Sequence, residues 1–225
     1  MGVKLHREGA NIIGAYFLIL AVVSISSFIF IRPIAIAWVV FSVLFIGFLL
    51  VLNFFRSPLR NFKGDRDGVV VSSVDGTVVA LEEVYEGEYL HSRAIQLSVF
   101  MTIFNVHANW YPVDGVVEVA DYHPGRFRAA YLPKSSSENE HSSVLIRTTT
   151  GHKLLMRQIA GAIARRIVTY AHPGAKANLS SHMGFIKFGS RVDIYLPVDS
   201  TILVKIGDKT TGGITPIAYL KQTKK

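Results

Sequence analysis

Two uncharged apolar runs stand back to back at the N-terminus, Gly9–Ile31 and Pro33–Phe55, separated only by Arg32. Each holds roughly 20 apolar residues, about 30 Å as helix, enough to cross the hydrocarbon core of a bilayer. Residues 1–55 are therefore predicted to form a two-span transmembrane hairpin that turns at Arg32-Pro33. A buried core hairpin or a shallow re-entrant pair is the alternative. A cleaved signal peptide fits poorly, because the first run is too long and a second follows it. Lys4 and Arg7 precede the first run, and Arg56, Arg60 and Lys63 follow the second. The positive-inside rule then puts both ends, and the domain that follows, on the cytoplasmic side of the cell membrane.

Beyond the hairpin the chain keeps a net positive charge of about six, which suits nucleic acid or an anionic membrane surface. With an anchor attached and no nucleic-acid-binding motif in the sequence, lipid is the expected partner. There is no cysteine, which excludes disulfides, thiolate chemistry and Cys-ligated metals. No pair of histidines has a metal-ligand spacing, and no metal is expected.

Residues 56–68 read as a linker leaving the membrane, and residues 69–225 as one domain. Short β-branched or aromatic runs recur between Gly, Pro and Asp turns at 69–73, 77–81, 94–100, 116–120, 143–148, 185–188, 192–196 and 202–206. Residues 134–143 form a polar loop. Over 153–170 a four-residue spacing of Leu155, Ile159, Ile163 and Ile167 suggests helix, while Gly151, Gly161 and the Ile-Val-Thr-Tyr end favour two strands. Val74-Asp-Gly-Thr-Val78 and Val113-Asp-Gly-Val-Val117 echo each other, and Asp-Gly before alternating apolar residues signals hairpins. The segment 206–218 resembles the closing hairpin of lipoyl-like domains. The predicted class is mainly β with an N-terminal transmembrane α-helical hairpin, its compact antiparallel β-domain resembling a barrel-sandwich (lipoyl-like) fold.

One dipeptide stands out chemically. Gly189-Ser190 is the sole Gly-Ser pair in the chain, and apolar, strand-like flanks surround it. Gly leaves a scissile carbonyl unshielded. The Ser oxygen can attack that carbonyl, and its β-carbon can then shed the ester by elimination. The same dipeptide also suits an ordinary turn.

The segments Phe54-Phe-Arg-Ser-Pro58, Val74-Asp-Gly76, Phe104-Asn-Val-His107, Pro112-Val-Asp-Gly115, Gln158-Ile-Ala-Gly161, Ala164-Arg-Arg-Ile167 and Phe188-Gly-Ser-Arg-Val-Asp193 occur in one order along nearly the whole chain. In that order they resemble the phosphatidylserine decarboxylase proenzymes, in their short, membrane-anchored, archaeal-type branch. The resemblance implies that Ser190 attacks the Gly189 carbonyl, that the chain is cut into two fragments that stay together, and that Ser190 becomes a covalent pyruvoyl group. It implies that this pyruvate-type cofactor forms a Schiff base with phosphatidylserine of an anionic membrane and yields phosphatidylethanolamine. A homo-oligomer is also implied.

By the same resemblance Asp75 and His107 are catalytic, in self-cleavage or decarboxylation. Asp75 as a turn residue and His107 as a structural histidine are the alternatives, and which base activates Ser190 stays open. Arg191 suits a lipid phosphate or carboxylate, or an ion pair with Asp193. His182, eight residues before Ser190, could approach it across a hairpin. His123, His141, His152 and His172 read as surface residues, and Asp114 as a turn residue. Trp110-Tyr111-Pro112 suits the membrane interface or the core. Two other functions fit parts of the pattern: a membrane-anchored lipoyl-like adaptor without catalysis, and a pyruvoyl decarboxylase of another amine-bearing carboxylate.

Overall fold

The structure is a computed structural model and describes residues 2–125, 139–161, 166–179, 181–187 and 190–221. The chain divides into two units, Met1–Leu59 and Arg60–Lys225. In the first, strand β1 (Val3–Leu5) leads to helix α1 (Ala10–Phe30), helix α2 (Ile34–Phe54) follows the Arg32-Pro33 turn, and β2 (Arg56–Pro58) returns to pair antiparallel with β1. Each helix has 21 residues, about 31 Å of rise. Edge-to-face packing of Phe28 on Trp38 near the turn, and a tilted contact of Tyr16 with Phe48 further along, show the antiparallel pair. Both helices are long and apolar enough to cross a membrane.

The second unit is built almost wholly of strands: β3 (Val69–Val71), β4 (Gly76–Glu86), β5 (Ser92–Met101), β6 (Ala108–Trp110), β7 (Gly115–His123), β8 (His141–Thr148), β9 (Lys153–Ala160), β10 (Arg166–Thr169), β11 (Lys176–Ala177), β12 (His182–Lys187), β13 (Ser190–Pro197), β14 (Thr201–Ile202), β15 (Lys209–Thr210) and β16 (Pro216–Tyr219). Eight of them form one curled antiparallel half-barrel in the order β11-β7-β8-β9-β13-β5-β4-β15. Two three-stranded sheets, β10-β12-β6 and β14-β16-β3, complete the unit. The period of two along the strands sorts the side chains. Val78, Leu97, Val99, Val144, Ile146, Met156, Val192 and Ile194 go to the main core, while Ala94, Leu145, Leu155 and Tyr195 pack on the opposite face.

The mainly β class with an apolar helix pair is what the sequence predicts. Residues 153–170 contain the two strands β9 and β10, with 162–165 outside the described residues. Other details differ. The Asp-Gly echoes open long strands instead of closing hairpins. A Cβ on Gly76 would lie 2.3 Å from the Phe100 carbonyl oxygen, and one on Gly115 the same distance from that of Arg147. Each glycine thus lets a neighbouring strand come close, and each is followed by a bulge, at Val78/Ala80 and at Val117/Val119. The run 202–206 pairs only at its start, because Asp208 accepts from the Lys205 N–H at 2.9 Å and turns the chain. In the polar segment 134–143, residues 134–138 lie outside the described residues, and His141–Ser143 belong to β8. Residues 56–68, read as a linker, are held at several points: β2 pairs with β1, Arg60 grips Asp75, Arg66 meets Asp114, and the Gly68 carbonyl accepts from Leu220 N at 2.8 Å.

Candidate active site

Ser190 is the first residue of β13 and is fully buried. Its backbone is held from both sides, opposite Met101 of β5 and Ala160 of β9. Strand alternation turns its side chain to the core face with Val192 and Ile194, and its Oγ donates to the Met101 thioether sulfur at 3.2 Å. A thioether is a weak acceptor, so this contact ties the hydroxyl only weakly. Gly189 and Phe188 lie outside the described residues.

The chain that leaves Ser190's neighbour Met101 makes a tight turn and arrives at His107, also fully buried. There it meets the strand that leads to Ser190: Ile186 of β12 donates its N–H to the His107 carbonyl at 3.2 Å, next to the Ala108↔Phe185 pair of β6 and β12. Serine and histidine are thus brought to one end of the domain by two links, Met101 opposite Ser190 and Ile186 opposite His107. His107 Nδ1 is 2.9 Å from the Asn105 carbonyl oxygen. A carbonyl only accepts, so Nδ1 carries the hydrogen and the lone pair of the neutral ring is on Nε2.

A buried polar chain fixes this segment. Ser142 Oγ donates to Gln158 Oε1 at 2.6 Å, Gln158 Nε2 donates to Asn109 Oδ1, and Asn109 Nδ2 donates to the His107 carbonyl at 3.1 Å. It ties β8 and β9 of the half-barrel to β6 of the small sheet. Nearby, Asn139 Nδ2 donates to the carbonyl of Ala160, Ser190's partner, at 2.7 Å, and buried Glu140 accepts from Ile167 N at 3.2 Å. Sequence reasoning missed these residues. The available signal was a polar Gln158 on the same strand face as Leu154 and Met156, and an Asn two residues beyond His107.

Asp75 does not stand free beside the serine. Both its carboxylate oxygens engage the Arg60 guanidinium, one contact at 2.8 Å, and Gly212 N donates to it at 2.9 Å. The side chains of this ion pair are 8% and 15% exposed, and breaking such a pair costs about 3–5 kcal/mol. The guanidinium lies 4.5 Å over the Trp110 ring, which in turn packs edge-on against His182. Trp110 and Tyr111 are core residues, 1% and 4% exposed, so the interfacial alternative for them fails. His182 begins β12, at the end away from Lys187 and Ser190, and faces Trp110.

Arg191 falls on the sheet face opposite Ser190, as alternation requires. It is 3% exposed and forms an ion pair with Asp193, Nε to Oδ1 at 2.8 Å. The ion pair with Asp193 is one of the two partners weighed for it. Asp114 accepts from Leu179 N at 3.0 Å, a turn-fixing bond. His141 is a correction: it is buried, stacked at 4.6 Å on His123, and its Nδ1 bonds the Asn139 carbonyl. Burial first, and then Arg157 and His123, push its pKa below the usual histidine value. Among the described residues no group of histidine and carboxylate side chains has the makings of a metal site.

The family model described as phosphatidylserine decarboxylase matches residues 48–218. A phosphatidylserine decarboxylase proenzyme of Parabacteroides distasonis is 53% identical over 97% of this chain and 100% of its own length. The proenzyme of Phocaeicola vulgatus is 49% identical over 97% and 96%, and that of Cytophaga hutchinsonii 47% identical over 76% and 77%.

Proposed function

The chain belongs to the phosphatidylserine decarboxylase family and decarboxylates phosphatidylserine, and from that premise we propose that its reactive group is made from Ser190 by cutting the Gly189–Ser190 bond. The supporting observation is Ser190 itself: fully buried, at the very start of a strand, and clamped on both sides by β5 and β9. A residue held this way keeps its place when the bond before it is broken.

In maturation the Ser190 Oγ attacks the Gly189 carbonyl carbon, the peptide C–N bond breaks and an ester forms. Loss of the Ser190 α-proton expels the Gly189 carboxylate, and water then replaces the nitrogen of residue 190, releasing ammonia and leaving a ketone. Once formed, the pyruvoyl ketone supplies an electron sink for loss of carbon dioxide from the substrate's serine moiety.

His107 is the proton carrier in this scheme. Its Nδ1–H is committed to Asn105, so Nε2 takes the Ser190 hydroxyl proton and serves again in turnover. Asp75 is a positioning residue, acting through Arg60 and Trp110 on the strand that begins just after His107. Arg191 serves the fold through Asp193 and does not touch substrate. The basic flanks of the helices support the cytoplasmic side of the membrane for the catalytic unit.

Intact-mass measurement of purified protein tests the scheme. Wild type gives two fragments, the smaller being residues 190–225 with a blocked N-terminus that amine plus borohydride tags. Ser190→Ala gives one species at 24.9 kDa. An active preparation consisting only of uncut, unmodified chain would sink it.

A further inference from the structure

Between Met101, which touches Ser190, and His107 lies a turn with two exposed apolar side chains at its tip. Ile103 is 47% exposed and Phe104 is 62% exposed. The turn is nevertheless stiff. Asn105 Oδ1 accepts from both the Thr102 N–H and the Thr102 Oγ1, each at 2.8 Å, and Asn105 N donates to the Thr102 carbonyl at 3.0 Å. Val106 and His107 behind it are buried. Three hydrogen bonds thus fix a turn whose aliphatic and aromatic side chains are largely exposed.

The position of the turn says what covers them. Phe104 is three residues from Met101 and three from His107, at most about 11 Å of chain in either direction. The substrate is a membrane lipid, and its reacting carboxylate sits in the headgroup layer, which is about 5–8 Å deep on each side of the hydrocarbon. For Ser190 to meet that carboxylate without pulling the lipid out, the surface around Ser190 has to reach the headgroup layer. A rigid apolar tip within that reach then meets the upper acyl chains. We propose that Thr102–Asn105 is a membrane-docking wedge, with Ile103 and Phe104 inserted among the lipids beside the active site. Large apolar and aromatic side chains on a polar turn suit the boundary between headgroup and acyl chain.

The inference rests on Ser190 as the reacting position, and the test separates the two. The chain has no cysteine, so Phe104→Cys and Val198→Cys each give a unique labelling site. Val198 follows the far end of β13 from Ser190 and is 49% exposed. Each variant, carrying an environment-sensitive fluorophore, is reconstituted into phosphatidylserine-containing vesicles with lipids brominated high on the acyl chain. Quenching at least threefold stronger at 104 than at 198 is the expected result, and equal quenching overturns the proposal. Protection at 104 in detergent that rises with protein concentration would assign the tip to a second copy of the chain, and also overturns it. Independently, Ile103→Ser/Phe104→Ser lowers turnover of vesicle-borne phosphatidylserine about tenfold more than turnover of a short-chain phosphatidylserine below its micelle concentration; equal losses count against the wedge. Fragment masses from the same samples report on Ser190: cut chains without quenching reject the wedge alone, and quenching in an uncut, active chain rejects the Ser190 scheme alone.

Discussion

At the scale of single residues, Ser190 and His107 are defined by what they are bonded to. Ser190 Oγ has a thioether for a partner, and His107 has one nitrogen committed to a carbonyl. His107→Gln removes the lone pair on Nε2 while leaving the backbone bonds to Ile186 and Asn109 in place. Self-cleavage is expected to slow by about 10²–10⁴-fold, the usual range for a general acid–base group, followed as the decay of full-length chain on a denaturing gel. An unchanged rate would remove His107 from maturation. His141 makes a different prediction, about pH. Its pKa is lowered in the fold, by burial first, in surroundings that include His123, Arg157 and Glu88. Below the unfolded histidine value of about 6.5 the unfolded chain takes up a proton that the folded chain resists. Stability from this group is therefore complete above that pH and declines as pH falls through it toward the folded value. Thermal unfolding midpoints measured from pH 7.5 to 5 should drop less steeply in His141→Gln than in wild type. The motif residues were legible in the sequence because reactivity restricts residue type. The burial of His141 was not, because a short polar context looks the same whether a strand covers it or not.

At the scale of elements, the strands were legible wherever β-branched residues alternate between turns, as in β5 and β13. Strand lengths were less so, since pairing partners and not propensity carried β4 out to Glu86. The Asp-Gly signals were misleading about hairpins for a physical reason: glycine is wanted there for close approach of a neighbouring carbonyl, not for a turn. Gly184 is a third case, and one that bears on the site. A Cβ there would lie 2.3 Å from the Val168 carbonyl oxygen of β10 and 2.8 Å from Gln158 Nε2. Gly184→Ala must push β10 away or drive Gln158 from Asn109, the residue that steadies His107. Overpacking of this kind costs about 1–3 kcal/mol. The unfolding midpoint should fall by several degrees, and self-cleavage should slow as well. A variant that loses stability but cleaves at the wild-type rate would show that the Ser142–Gln158–Asn109 chain is not needed to hold the histidine.

At the scale of the whole molecule, the sequence showed an apolar hairpin and a β-domain, but not how a cut at residue 190 could leave the domain whole. Sheet order answers that. The segment after the proposed cut supplies β13, which runs through the middle of the half-barrel with β9 on one side and β5 on the other. It also supplies β15 on the edge beside β4, and β14 and β16, the latter paired to β3. Four pairings to the preceding segment would have to break for the smaller fragment to leave, and Val192, Ile194, Leu196, Ile217 and Leu220 would have to come out of the main core. At roughly 1.5–3 kcal/mol for each large apolar side chain exposed, departure costs about as much as a domain's entire stability. The two fragments of the mature protein should therefore co-elute through size exclusion in mild detergent and part only in denaturant. Unfolding followed by loss of far-ultraviolet signal and by release of residues 190–225 should give the same midpoint. Release of the small fragment at a denaturant concentration where the strand signal is still native would mean that β13 is not the central strand of the processed enzyme.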